Sequence, residues 1–182
     1  ARGTEEVDLD SVAAKLGLRT DFGRIAQTFP IRPDEEIERS DVLDDLMKDT
    51  FDESVILASQ KSIDVKIENT DNVLIWGDKQ RLRQMILNLV DNAIKYSGEK
   101  SVITLSLVKN DGEATVMVRD QGIGIPKSEI SRIFDRFYRV DRARSRTLGG
   151  SGLGLATVKW IVDAHGGTIT VKTSTEAESL RI

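Results

Sequence analysis

With 182 residues, of which 39% are hydrophobic and 31% charged, the chain can bury one sizeable core, which predicts a single domain and excludes disorder along its whole length. Cysteine is absent and His165 is the one histidine, excluding disulfide frameworks, thiol nucleophiles and Cys/His zinc clusters, so any divalent metal must be held by oxygen. The formal net charge of -4 gives no reason to expect nucleic acid as a partner, or general affinity for acidic membranes.

Residues 1–37 stand apart from the rest. Leu9, Val12, Ala13 and Leu16, then Phe22, Ile25, Ala26 and Phe29, recur at helical spacing, which predicts two short amphipathic helices ended by Pro30 and Pro33. Ser40 is the expected cap of a helix carrying Leu43, Leu46, Met47, Phe51, Val55 and Ala58. Ile63, Val65 and Ile67 alternate with charged residues, as in a half-buried strand, and a second short strand follows at Val73–Trp76. A helix is predicted from Asp78 to Lys95, then strands at Val102–Val108 and Ala114–Arg119 joined by an Asn110-Asp111-Gly112 turn. Further helices are expected near Lys127–Phe137 and Leu153–Ala164, and further strands at Thr168–Lys172 and Leu180–Ile182. The fold class this implies is α/β (α+β), a two-layer sandwich with a mixed sheet packed on helices. No apolar run reaches the ~20 residues a membrane helix needs, and the opening Ala1-Arg2-Gly3 has neither an initiator Met nor a signal-peptide pattern, as expected of a soluble piece of a longer chain.

Charge and glycine are spread unevenly. Residues 1–60 hold 15 acidic and 7 basic residues, whereas Ser131–Arg146 carries six arginines against Asp135 and Asp141. Eight of the 14 glycines fall between Gly122 and Gly167, so the chemistry is expected in the C-terminal half.

On the Asp78–Lys95 helix, Leu82, Met85, Ile86, Leu89 and Ala93 form one stripe, while Asn88, Asn92 and Lys95 lie within about 60° of one another elsewhere on the surface. A carboxamide oxygen is a neutral hard ligand suited to Mg²⁺, which shares its other contacts with waters and phosphates, and Lys95 offers a point charge to phosphate. The same residues also fit an ordinary solvated face. Asp120-Gln121-Gly122-Ile123-Gly124-Ile125-Pro126 leaves a strand: its glycines allow close backbone approach to a flat ligand, and Asp120 can accept from an exocyclic amine. An Asp-Gly turn of no further purpose is the alternative. Gly149-Gly150-Ser151-Gly152-Leu153-Gly154 opens a helix and suits an anion, or is simply a surface loop. It is neither a P-loop nor a dinucleotide fingerprint, because no Lys-Ser/Thr follows Gly154 and the glycine spacing differs. The arginines between these loops fit a mobile basic lid, with Arg139 best placed for a terminal phosphate.

In this order, Asn88-Leu89-Val90-Asp91-Asn92-Ala93-Ile94-Lys95-Tyr96, Asp120-Gln121-Gly122-Ile123-Gly124, Phe134–Phe137 and Gly150–Gly154 resemble the N box, first glycine box, phenylalanine box and second glycine box of the ATP-binding catalytic domain of sensor histidine kinases. That superfamily also holds type II topoisomerase, mismatch-repair and heat-shock chaperone ATPases. The resemblance covers about Glu38 to the C-terminus, setting a domain at 38–182, and implies a Bergerat-type fold with ATP and Mg²⁺ as cofactors. It implies that Asn92, supported by Asn88, holds the metal, that Asp120 reads adenine with Tyr96 packed beside it, and that Gly122, Gly124, Ser151, Gly152, Leu153 and Gly154 line the nucleotide. Asn88, Lys95 and Arg139 are the implied catalytic set. The related hydrolytic ATPases carry a glutamate general base four residues before the metal-binding asparagine. Here that place is the amide of Asn88, which accepts no proton, so poor hydrolysis is expected.

The resemblance further implies two-component signalling: phosphotransfer to a histidine on a separate dimerisation/phosphoacceptor domain, a downstream response regulator, a homodimeric full-length protein and a cytoplasmic location beneath a membrane-bound sensor. The acceptor histidine is not in this chain, since His165 sits in a helix-to-strand turn where a structural role is expected. A serine/threonine kinase of the anti-sigma-factor type and a non-catalytic interaction module are the competing readings. The family's last strand pair carries a Gly-Thr turn, whereas Glu176-Ala177-Glu178-Ser179 stands at that place here.

Overall fold

The computed structural model describes residues 23–30, 40–140 and 151–173. The first of the two N-terminal helices expected from sequence, the Leu180–Ile182 strand and Glu176–Ser179 lie outside these residues.

Helix α1 (Leu43–Ser59) buries Leu46, Met47 and Ala58, with Phe51 packed at the edge of the core. It is rotated from the expected stripe: Val55 is exposed, and Thr50 and Ser54 are fully buried instead. Their hydroxyls donate to carbonyls one turn back, Thr50 to Leu46 and Ser54 to Thr50, both at 2.6 Å, so neither is left unsatisfied by burial. Ser40 is not the cap of this helix. It begins strand β2 (Ser40–Val42), which pairs antiparallel with β4 (Leu74–Trp76) in a small separate sheet.

Strand β3 (Asp64–Thr70) is followed by helix α2 (Lys79–Tyr96), which buries Leu82, Met85, Ile86, Leu89, Val90, Ala93 and Ile94. Each large member of this stripe contributes roughly 1.5–3 kcal/mol, which outweighs the ~0.7 kcal/mol an asparagine costs inside a helix. Strands β5 (Val102–Asn110) and β6 (Glu113–Asp120) form a hairpin. At its tip Asp111 and Gly112 both have positive φ, 45° and 83°, the backbone twist of a type I′ turn that Asp-Gly adopts readily.

The Lys127–Phe137 helix does not form. A short 3₁₀ turn, Lys127–Glu129, is continued by i→i+3 bonds from Arg132 N to Glu129 O and Asp135 N to Arg132 O, both 2.9 Å. Ile133 is the one buried side chain between 127 and 137, so no apolar stripe exists to hold a longer helix against the core. Helix α3 (Gly154–Ala164) and strand β7 (Thr168–Lys172) complete the described chain.

The main sheet has the order β3-β5-β6-β1-β7. Here β1 (Gly23–Pro30) is a strand where the spacing of Phe22, Ile25, Ala26 and Phe29 predicts a helix. It lies between β6 and β7 and pairs antiparallel with both, so tertiary pairing overrides the local period. Only β3 and β5 run parallel. The sheet is therefore mixed, and α1, α2 and α3 pack beside one another over it, the two-layer α/β architecture expected from sequence.

Candidate functional site

The site begins with how α2 is held. Asp78 caps it, its Oδ1 accepting from the N–H groups of Gln80 and Arg81 at 2.9 and 3.1 Å. The Asp78 N–H in turn donates to His165 Nε2 at 3.1 Å, and His165 Nδ1 donates to the Ile161 carbonyl at 2.7 Å. His165 therefore ties the start of α2 to the end of α3, a structural role of the kind its turn position suggests.

With α2 fixed this way, Asn88, Asn92 and Lys95 are all half-buried beside the apolar stripe. Asn92 Nδ2 is buried without a hydrogen-bond partner, a condition that costs about 1–3 kcal/mol unless a ligand relieves it. A Cβ on Gly154 would stand 3.5 Å from that atom, so α3 opens directly against the amide. Turning the carboxamide over exchanges its nitrogen and oxygen and presents an acceptor at the same place. Lys95 donates to Asp91 Oδ2 at 2.5 Å across one turn, which holds its ammonium on the helix that carries the asparagines. Among the described residues no group of three or more His, Cys, Asp or Glu could hold a metal. A cation at this amide pair would thus rely on carboxamide oxygen, phosphate and water, which is a fitting donor set for Mg²⁺.

The second wall is the turn after β6. Asp120 Oδ1 accepts the Gly122 N–H at 2.7 Å. A Cβ at Gly122 would fall 2.7 Å from that oxygen and 2.8 Å from the Tyr96 carbonyl oxygen, so only glycine lets strand end and helix end meet. Ile123 N–H donates to the same Tyr96 carbonyl at 3.3 Å, and Gly124 turns the chain with φ +71°. Burial pushes the Asp120 carboxyl above its ordinary 3.8, partly offset by the Gly122 hydrogen bond. A half-buried carboxylate with unused acceptor capacity is suited to an amino-group donor. Tyr96 is partly exposed beside it, at 38%.

The third wall joins the segment ending at Phe137 to the glycine loop. Phe137 N–H donates to the Gly152 carbonyl at 2.9 Å. Gly152 has φ +71°, and a Cβ there would lie 2.9 Å from the Phe137 backbone. Leu153 stands at the N-cap of α3 with no side-chain cap, so the first-turn N–H groups of Gly154, Leu155 and Ala156 are available to an anion. Ser151 is exposed at the entrance and Arg139 half-buried just after Phe137. An open cleft of about 400 Å³ beside this loop is lined by Arg136, Phe137, Leu153, Ala156, Thr157 and Trp160; Asn92 and Asp120 do not line it. Gly149 and Gly150 lie outside the described residues.

Sequence reasoning did not single out three residues that shape these walls. Asp91 engages Lys95, and its i,i+4 spacing could have revealed it. Gln121 accepts the Val102 N–H through Oε1 at 2.8 Å, and Thr173 Oγ1 accepts the Ile125 N–H at 2.9 Å; both contacts are distant in sequence and leave no local signal.

Comparison with known proteins identifies the family and the fold. The profile described as "Histidine kinase-, DNA gyrase B-, and HSP90-like ATPase" matches residues 77–181. Sensor histidine kinase WalK of Bacillus subtilis is 50% identical over 94 residues, which is 50% of this chain and 15% of WalK. The mycobacterial sensor histidine kinase MprB superposes with a TM-score of 0.61 at 25% identity, over 75% of this chain and 97% of the solved one. Full-length ShkA, solved in complex with AMPPNP, gives 0.57 at 26% identity over 84% of this chain and 28% of ShkA. The chain spans about a third or less of the curated relatives it matches first. By that match over more than half its length, and by the Bergerat-type fold it shares with the solved catalytic domains, the chain belongs to the histidine kinase-, DNA gyrase B- and HSP90-like ATPase family, on its sensor histidine kinase branch.

Proposed function

We propose that this chain binds Mg-ATP and transfers the terminal phosphate to a histidine on a separate dimerisation/phosphoacceptor domain, within a homodimeric two-component sensor whose product passes to a response regulator. The observation that carries this reading is Asn92: a side-chain nitrogen buried without a hydrogen-bond partner, facing the uncapped glycine-rich start of α3. That ShkA was solved with AMPPNP supports a nucleotide triphosphate as the ligand.

The residues divide the work by their chemistry. Asp120 accepts from the adenine amine while Gly122 and Gly124 let the ring approach, with Tyr96 against its edge. Asn92 and Asn88 would hold Mg²⁺, which neutralises phosphate charge. Lys95, Arg139 and the first-turn amides of α3 orient the phosphates, since positioning and charge stabilisation account for most of the catalysis of phosphoryl transfer. Asn88 cannot accept a proton, so water entering the site finds no general base there. No helix among the described residues is long and apolar enough to cross a membrane, and we place the domain on the cytoplasmic side of its sensor.

The test is calorimetric titration with ADP and a non-hydrolysable ATP analogue, with and without magnesium, followed by labelled ATP with an added histidine-bearing helical hairpin. Magnesium-dependent binding, slow phosphate release and an acid-labile labelled hairpin are expected. An acid-stable label on serine or threonine would favour the anti-sigma-factor type of kinase. Absence of nucleotide binding would leave an interaction module.

A further inference from the structure

The sheet contains a strand from far away in the chain. β1 occupies the place between β6 and β7, with eight register pairs to β6, from Gly23↔Asp120 to Pro30↔Glu113, and five to β7, from Arg24↔Lys172 to Thr28↔Thr168. Among the described residues β7 has no strand neighbour other than β1, so there β1 is what links β7 to the rest of the sheet.

Where β1 begins matters for the site. Gly23 lies opposite Asp120, and the next residue, Arg24, lies opposite Lys172. Asp120 starts the turn assigned above to the adenine, and Thr173, directly after Lys172, holds the far side of that turn through Ile125 N–H at 2.9 Å. Among the described strands, the two anchors of the Asp120–Ile125 turn are therefore brought together by the first two residues of β1 alone. We infer that β1 is a strand-shaped clamp on the nucleotide site: its seating between β6 and β7 sets the spacing of Asp120 and Thr173, so that unseating β1 changes nucleotide affinity. This rests on the nucleotide-site reading above. Strand addition suits such control, because main-chain bonds supply the affinity and can be exchanged as a unit, and a central strand cannot leave without unpairing both neighbours.

The test compares the full chain with a variant lacking residues 1–30, using backbone amide exchange of Gly122, Ile123 and Ile125 together with ADP titration. Loss of the clamp is expected to speed exchange and weaken ADP about tenfold, the scale of one misplaced positioning contact, and a synthetic peptide of residues 21–32 added in trans is expected to restore both. Unchanged exchange and affinity in the shortened chain would overturn the inference. Amide exchange needs no nucleotide, so failure of the full chain to bind ADP would refute the nucleotide reading while the exchange data still judge the clamp. Should the shortened chain not fold, the full-length double variant Thr28→Cys/Thr168→Cys is the second arm. Directly opposed antiparallel residues lie roughly 4.5–5.5 Å apart at Cα, within disulfide reach, and the chain has no other cysteine. Ready intramolecular disulfide formation with slow turn exchange is expected, and failure to form the bond under oxidation overturns the placement of β1.

Discussion

Phe137 and Gly152 hold the phenylalanine-containing segment and the glycine loop together through one backbone hydrogen bond, 2.9 Å from the Phe137 N–H to the Gly152 carbonyl, with both residues in the left-handed region at φ 64° and 71°. The phenylalanine box and second glycine box are thus one structural unit, although 14 residues separate these two positions. A left-handed alanine costs about 1–2 kcal/mol, and its Cβ would press within 2.9 Å of Phe137 backbone atoms that cannot yield as a side chain can. Gly152→Ala is expected to lower thermal stability by several degrees and nucleotide affinity by at least about tenfold, measured by calorimetry with and without ADP.

Asn92→Ala separates binding from folding. The side chain lies outside the apolar stripe and its buried nitrogen bonds to nothing in the protein, so truncation orphans no partner and removes a penalty of about 1–3 kcal/mol, and stability should not fall. Magnesium-dependent nucleotide binding should be lost. Chemical denaturation alongside ADP titration checks both, and a large stability loss would mean the amide is structural.

Asn88→Glu supplies the proton acceptor that the hydrolytic relatives carry at this place. Acceptor-independent phosphate release is expected to rise about tenfold or more, the lower reach of general-base catalysis. Steady-state phosphate release in the absence of any hairpin domain measures it; an unchanged rate would show that water is not held in line with the phosphate.

Asp120 sets a pH dependence whose sign follows from burial. Its carboxyl is raised above 3.8 because desolvation penalises the charged form, so the free protein gains stability from this group at low pH and loses it as pH rises through the raised value. Adenine binding runs the opposite way, because the carboxylate is the acceptor. ADP affinity relative to Asp120→Asn should fall as pH drops through the window just above the ordinary 3.8, and Asp120→Asn should narrow the stability difference between low and neutral pH. Parallel titrations of the two proteins between acid and neutral pH cancel the protonation of the nucleotide itself.

His165→Ala tests the brace between α2 and α3. It removes the acceptor for the Asp78 N–H and the donor to the Ile161 carbonyl, for an expected loss of about 1–3 kcal/mol. Nucleotide affinity measured well below the melting temperature should change less than about threefold, since the two bonds lost are to backbone groups at the helix ends. Thermal unfolding and ADP titration together distinguish this from a catalytic role.

Sequence alone determined the parts whose signal is local. The alternation of β3, the Asp111-Gly112 turn, the apolar stripe of α2 and the placing of Asn88 and Asn92 beside it follow from backbone period and turn chemistry acting over a few residues. The four boxes were legible for the same reason: each compresses its donors and glycines into a short stretch. Tertiary structure decided the rest. Whether Thr50 or Val55 faced the core depended on hydroxyls satisfying themselves within the helix, and the fate of residues 127–137 depended on the absence of an apolar surface to pack. The identity of β1 was hidden most completely, because Ile25, Ala26 and Phe29 keep a helical period while the strand is held by ladders to β6 and β7, roughly 90 and 145 residues further on. Hydrogen-bond partners of a central strand come from elsewhere in the chain, so no local pattern can announce them; only the assembled sheet, with Gly23 set against Asp120, shows where residues 23–30 sit.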